Sequence, residues 1–254
     1  MSLSINQLPI LDYDDSQKAV IMPDHEKLSH LPEYAVFPFL GDQVEHFANE
    51  RQLKRISAFD CITKTFPIYQ LDYRGKSIAL CQAPLGSAAA TMIFDFLISY
   101  GAKKIISAGS CGALIPLEEN QFLIPTEALR CEGASYHYLP PSPTVKANQT
   151  AVQAIEKAMK QHNIPYLHCK TWSTDGFFRE TKEMVEYRKA EGYSVVEMEC
   201  AGLMACAEFR AVTFGQLLFT ADSLANVEQH QERNWGSASI PLALQLCLDA
   251  VVEL

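Results

Sequence analysis

Apolar positions recur along this chain with two distinct periods. AVFPFL (35–40), KSIALCQA (76–83), KKIISAG (103–109), QFLIPTEALR (121–130), PYLHCKTW (165–172), YSVVEME (193–199) and GQLLFTAD (215–222) are short apolar runs of strand length. Between them, DQVEHFANERQL after Gly41, SAAATMIFDFLISY (87–100), NQTAVQAIEKAMKQH (148–162), RETKEMVEYRKAEG (179–192), CAGLMACAEFR and PLALQLCLDAVVEL carry the spacing of helices. Gly101 and Gly192 come directly after two of these and act as C-terminal stops. KKIISAG runs into a Gly-rich stretch, GSCGAL, that reads as a turn. Strands alternating with helices of about 10–15 residues predict an α/β fold, with a largely parallel sheet covered by helices on both faces. Residues 1–34, rich in Pro, Asp and His, read as an irregular N-terminal arm. No repeat or linker divides the remainder, so residues 1–254 are expected to form one domain.

Composition narrows the class. The 254 residues are 48% hydrophobic and 20% charged, which excludes long disorder and leaves enough apolar surface for a core without staples. With 21 Lys+Arg against 30 Asp+Glu the formal net charge is −9, opposite in sign to a nucleic-acid groove. The eight cysteines contain no C-x-x-C and mostly sit in apolar runs, as small buried hydrophobes of a reducing compartment do; neither they nor the histidines have metal-ligand spacing. No uncharged apolar stretch reaches about 18 residues, and the N-terminus lacks the pattern of a signal peptide, so a cytoplasmic protein without a membrane partner is expected.

In parallel α/β sheets ligands bind beyond the carboxyl ends of the strands, which directs attention to the residues at the end of each apolar run. Ser110 lies between Gly109 and Gly112, where outward-facing amides and a hydroxyl suit an anion, although such turns also arise for conformational reasons alone. Glu197 and Glu199 interrupt the apolar stretch VVEMECAGLMACA. Two carboxylates there are costly unless they accept hydrogen bonds, from an arginine or a helix N-terminus on one reading, from the hydroxyls of a polyol on another. Asp222 closes the last strand, as a helix cap or as an acid. Phe177 and Phe178, after Asp175, are either core or a wall against which a planar base stacks.

Taken together and in this order, GSCGA (109–113), VEMEC-AG (196–202), TADS (220–223), DGFF (175–178) and EGASYHYLPP (132–141) resemble the nucleoside phosphorylase family of the purine nucleoside and uridine phosphorylase type, related nucleosidases included. The resemblance covers about residues 35–250 and implies a three-layer α/β/α sandwich with a central mixed, mostly parallel, partly barrel-like sheet. It further implies a homodimer or a trimer of dimers, and cleavage of the N-glycosidic bond of a nucleoside with transfer of the sugar to phosphate or to water. Residue by residue, it implies that Met198 packs on the ribose, Glu199 binds the 2′- and 3′-hydroxyls, Phe177 lies along the base, Ser110 and the Gly41 backbone touch phosphate, and Asp222 protonates the leaving purine at N7. No cofactor or metal is implied; phosphate is a co-substrate in the phosphorolytic branch. The protonated Asp222 of that scheme calls for a raised pKa at the strand end.

Two departures bear on the acceptor. Where the family has a phosphate-gripping Arg in a Gly-Asp-Pro-x-Arg segment, this chain reads Gly41-Asp42-Gln43-Val44-Glu45, and the Arg two residues ahead of the first Gly of GSCGA is Ser107. Guanidinium holds a phosphate dianion in a fork that neither glutamate nor serine reproduces. Arg51, Arg55, Lys64 and Arg179 are the candidate replacements. Phosphorolysis of a purine nucleoside is the leading expectation, with hydrolysis as the alternative and a non-catalytic nucleoside-binding protein as a third. His25, His30, His137, Tyr136 and Tyr138 have structural and substrate-facing readings alike.

Overall fold

The apolar runs assemble as strands of a ten-stranded mixed sheet in the computed structural model, which describes residues 3–25 and 28–254. In chain order the elements are β1 (Leu3–Ser4), β2 (Tyr13–Asp14), β3 (Tyr34–Val36), α1 (Gln43–Glu50), β4 (Lys54–Asp60), β5 (Thr65–Tyr73), β6 (Lys76–Cys81), α2 (Ser87–Ser99), β7 (Lys104–Ala113) and β8 (Phe122–Cys131). They continue as β9 (Thr144–Lys146), α3 (Gln149–Gln161), β10 (Tyr166–Thr174), α4 (Lys182–Ala190), β11 (Val195–Glu197), α5 (Cys200–Phe209), β12 (Thr213–Ser223) and α6 (Ile240–Val251). The arm holds the small antiparallel pair β1–β2, outside the main sheet. The hairpin β4–β5 and the short β9 fall in segments where no strand was expected; their residues are mostly half-exposed, so no continuous apolar run marks them.

Strand order is β11-β10-β8-β12-β7-β3-β6-β5-β4, with β9 on β8. Parallel pairings join β10 to β8 and β11, β12 to β7, and β3 to β6 and β7, whereas β4–β5, β5–β6, β8–β9, β8–β12 and β7–β11 are antiparallel. Because β11 pairs with both β10 and β7, the strands β7, β12, β8, β10 and β11 close on themselves as a barrel. The central sheet is therefore mixed and partly barrel-like, as the resemblance implies.

Successive residues of β12 show the layers directly. The Phe214 ring meets Phe94 of α2 edge-on, with centroids 5.1 Å apart. Its neighbour Gly215 faces the other way, where a Cβ would lie 2.8 Å from Ala151 of α3. Opposite faces of one strand thus carry α2, packed with α5, and α3, packed with α6. The continuous core links Phe37, Phe94 and Phe214 to Leu244 and Leu248 of α6. Side-chain caps start α3 and α4: Asn148 accepts from the Ala151 amide and Thr181 from the Met184 amide. Gly101 ends α2 at φ +129°, where a Cβ would press to 2.8 Å from the Leu31 carbonyl oxygen.

One expected turn is a strand. GSCGA continues β7 through Ala113, paired with β12 in the register Leu218↔Gly109, Phe219↔Ser110 and Thr220↔Cys111. The glycines serve close packing rather than chain reversal: a Cβ on Gly112 would sit 2.9 Å from Leu224 Cδ1, 3.1 Å from Val196 Cγ1 and 3.2 Å from Asp222 Oδ1. Among the described residues no helix is long and apolar enough to cross a membrane.

Candidate active site

At one end of the barrel the strands β7, β11 and β12 open into a cleft of two adjoining chambers, about 550 Å³ and about 530 Å³. The chambers share Phe177, Phe178, Glu180, Asp222, Leu224 and Trp235. Ser110, Met198 and Glu199 line the larger one, so five of the six expected site residues meet there. Gly41 is outside the lining, in a left-handed turn (φ +57°) ahead of α1.

The two glutamates have separate tasks. Glu197, at the end of β11, accepts from Thr171 Oγ1 (3.1 Å), Ser173 Oγ (2.5 Å) and the amides of Glu199 (2.8 Å) and Cys200 (2.6 Å). It is a buried cap on α5, stitching that helix to β10; burial raises its pKa and these donors oppose the rise. Glu199 accepts from the Gly86 amide (2.7 Å), at the turn entering α2. Burial first, then the Glu197 charge, push its pKa up to about 8, against the pull of the Gly86 and Met198 backbone. A carboxylate with acceptor directions to spare, in a dry wall, is short of donors, and vicinal hydroxyls would supply them.

Asp222 is not a helix cap, since a loop comes after it. The β7–β12 register shifts between Thr220 and Ser223, and this bulge releases Ala221 and Asp222 from the ladder. The carboxyl is buried (5% exposed), with Oδ1 beside the cleft-lining Gly112 and Oδ2 at 2.7 Å from His230 Nε2. Beside it, burial and the Asp222 charge raise Glu180 to about 7. Phe177 and Phe178 meet edge-on at 5.0 Å and are both exposed, so they are cleft wall rather than core.

Ser107 is fully buried and donates to the Phe37 carbonyl (2.7 Å), tying β7 to the chain leaving β3; it is turned from the cleft. Glu45 is exposed on α1. Of the candidate cations, Arg51 lies over Phe47 and Lys64 over Phe66, and neither these nor Arg55 and Arg179 line a chamber. Lys182, in the smaller chamber, is paired with Glu228. Among the described residues the larger chamber is lined by the carboxyl groups of Glu180, Glu197, Glu199 and Asp222 and by no lysine or arginine. Among the described residues, no group of three His, Cys, Asp or Glu side chains could hold a metal ion.

His25 and His137 meet in a different groove, of about 670 Å³, between the arm, β4 and α2. His30 Nδ1 lies 3.3 Å from the Tyr100 carbonyl oxygen, Tyr138 donates to Asp95, and Tyr136 donates to the Arg130 carbonyl. Sequence reasoning missed His230, Glu180 and Trp235. Only Trp235, a lone aromatic among Gln, Glu, Arg and Asn, stands out in the sequence of its loop.

A barrel-ended α/β sheet whose strand ends present a carboxylate-lined cleft defines the class, an enzyme fold with its site at the carboxyl edge. The chain belongs to the phosphorylase superfamily, whose model matches residues 33–252. Among curated proteins it is 28% identical over 189 residues to a purine nucleoside phosphorylase of Plasmodium falciparum, covering 69% of this chain and 75% of that one. A uridine phosphorylase of Haemophilus influenzae is 28% identical over 134 residues, 51% of this chain and 53% of the relative. Among solved structures, an AMP nucleosidase from Bacteroides thetaiotaomicron aligns with a TM-score of 0.70 at 22% identity, over 87% of this chain and 88% of that one. Toxoplasma gondii purine nucleoside phosphorylase aligns at 0.75 and 18% identity, over 93% and 97%. The chain is thus an enzyme of the phosphorylase superfamily, with purine nucleoside and uridine phosphorylases among its curated relatives.

Proposed function

We propose that this enzyme cleaves the N-glycosidic bond of a purine nucleoside and delivers the sugar to water. Breaking that bond builds positive charge on the ribose and negative charge on the base. Glu199, desolvated and anchored by Gly86, grips the vicinal hydroxyls, and the sugar cation favours its ionised form. Met198 packs on the ribose, Phe177 lies along the base, and Asp222 gives its proton to N7, which favours purines over uracil. General-acid help of this kind is worth about 10²–10⁴-fold. No cofactor or metal takes part in this scheme.

The observation that carries water as acceptor is the lining around Ser110. Glu199, Glu180 and Asp222 face the same chamber, and the position of the family's second phosphate-gripping arginine is a serine spent on the Phe37 carbonyl. A phosphate dianion finds no lysine or arginine among the described residues of that lining to hold it, whereas a water needs none. Phosphorolysis is the second reading, favoured by the activities of the curated relatives and by the exposed hydroxyl of Ser110. A second copy of the chain, in a homodimer or a trimer of dimers, is the proposed partner.

The test is base release from purine and pyrimidine nucleosides by the purified protein and by Glu199→Ala and Asp222→Asn. Purine release by the wild type, and a loss of about 10²-fold or more in each variant, is expected. Full turnover by either variant contradicts its assigned role.

A further inference from the structure

Asp222 needs a fresh proton each turnover, yet its carboxyl is buried. We propose that His230 is the positioning and proton-returning residue of Asp222, a role that rests on the cleavage reading above. The imidazole Nε2 lies 2.7 Å from Asp222 Oδ2, while Oδ1 points at Gly112 on the cleft floor. The two oxygens are thereby divided, one held by the imidazole and the other left to the base. The His230 side chain is 49% exposed against 8% for Asp222, so it spans the distance between bulk water and the buried acid. Trp235 flanks the imidazole with ring centroids 6.3 Å apart.

The other ionisable groups around the pair are Glu180 after β10, Lys182 of α4 with its partner Glu228, Glu232 in the same loop, and the buried Cys111 thiol of β7. Burial and the Asp222 charge push Glu180 up to about 7, so its inflection falls within any pH profile of the site.

The proton balance closes. As C1′–N9 breaks, its electron pair goes to the base and the Asp222 proton goes to N7. Water adds to C1′ and releases one proton to solvent. His230 takes one proton from solvent and returns one through Nε2 to Oδ2, and rotation of the protonated carboxyl turns that proton toward the base, so the acid is restored with no net consumption.

His230→Gln keeps an amide donor for Oδ2 and removes the titratable ring. The comparison is guanosine against 7-methylguanosine, whose N7 already carries a methyl group and whose base leaves neutral. The expected result for His230→Gln is a 10- to 100-fold lower kcat on guanosine with KM within about threefold, and a loss on 7-methylguanosine at least ten times smaller. Asp222→Asn should show the same substrate contrast. Turnover of 7-methylguanosine also serves as the control for folding. Equal loss on both substrates, or none on either, overturns the role of His230 and leaves the cleavage reading standing. Wild-type protein that releases base from neither substrate overturns both.

Discussion

Replacing Glu199 by glutamine should make the protein more stable as the pH rises. Glu199 is 6% exposed and accepts from the Gly86 amide, and burial together with Glu197 lifts its pKa from 4.5 to about 8. Below 4.5 the carboxyl is protonated in the folded and unfolded chains alike, so its contribution is fully retained. Between 4.5 and about 8 the unfolded chain ionises while the native one holds its proton, and stability falls as pH rises through that window. The full shift corresponds to about 3–5 kcal/mol, of which about 2–4 kcal/mol accrues between roughly pH 5.5 and 8.5. Glutamine keeps an acceptor for Gly86 without the charge. Glu197, whose pKa is also raised, stays in both proteins, so the difference between them isolates Glu199. Urea unfolding of wild type and Glu199→Gln across that range, without ligand, is the assay. A stability gap that widens with pH in favour of the variant is expected, alongside a fall in kcat/KM. A flat or shrinking gap refutes the view that Glu199 is a desolvated carboxyl waiting for donors.

The packing and the cleft set three further outcomes. Gly202→Ala would place a Cβ 2.2 Å from Ser87 Oγ and 2.9 Å from Thr91 Oγ1 where α5 meets α2, and thermal melts should show a loss of about 1–3 kcal/mol. Arg210 donates through Nε and Nη2 to the two oxygens of the buried Asp95, both at 2.8 Å; Arg210→Ala should cost about 3–5 kcal/mol in denaturant titration, because it strands that carboxylate. Phe177→Ala removes a wall of the cleft and should raise KM for purine nucleosides about 3- to 10-fold, with kcat changed less, in steady-state assays.

Legibility in the sequence tracked chemistry and burial. The buried strands β6, β7, β8 and β12 read directly as apolar runs, whereas the half-exposed β4–β5 hairpin carried no such mark. Glu199 stood out because a carboxylate in an apolar stretch is expensive, but which of Glu197 and Glu199 served the helix and which faced the cleft was decided by the hydrogen bonds of Thr171 and Ser173, remote in sequence. GSCGA looked like a turn because small residues suit turns; flanking strands and the crowding of Leu224, Val196 and Asp222 on Gly112 require smallness just as strictly. His230 was invisible because its meaning comes from a bulge that frees Asp222 and a loop that returns to it.

The acceptor is the central claim, and isotope transfer reads it most directly. The enzyme would be incubated with a purine nucleoside in H₂¹⁸O containing saturating phosphate, and the sugar product weighed by mass spectrometry before its anomeric oxygen exchanges. Free pentose carrying one ¹⁸O at C1′, formed at the same rate without phosphate, is the expected result. Unlabelled pentose 1-phosphate that forms only when phosphate is present would contradict it and assign the cleft to phosphorolysis.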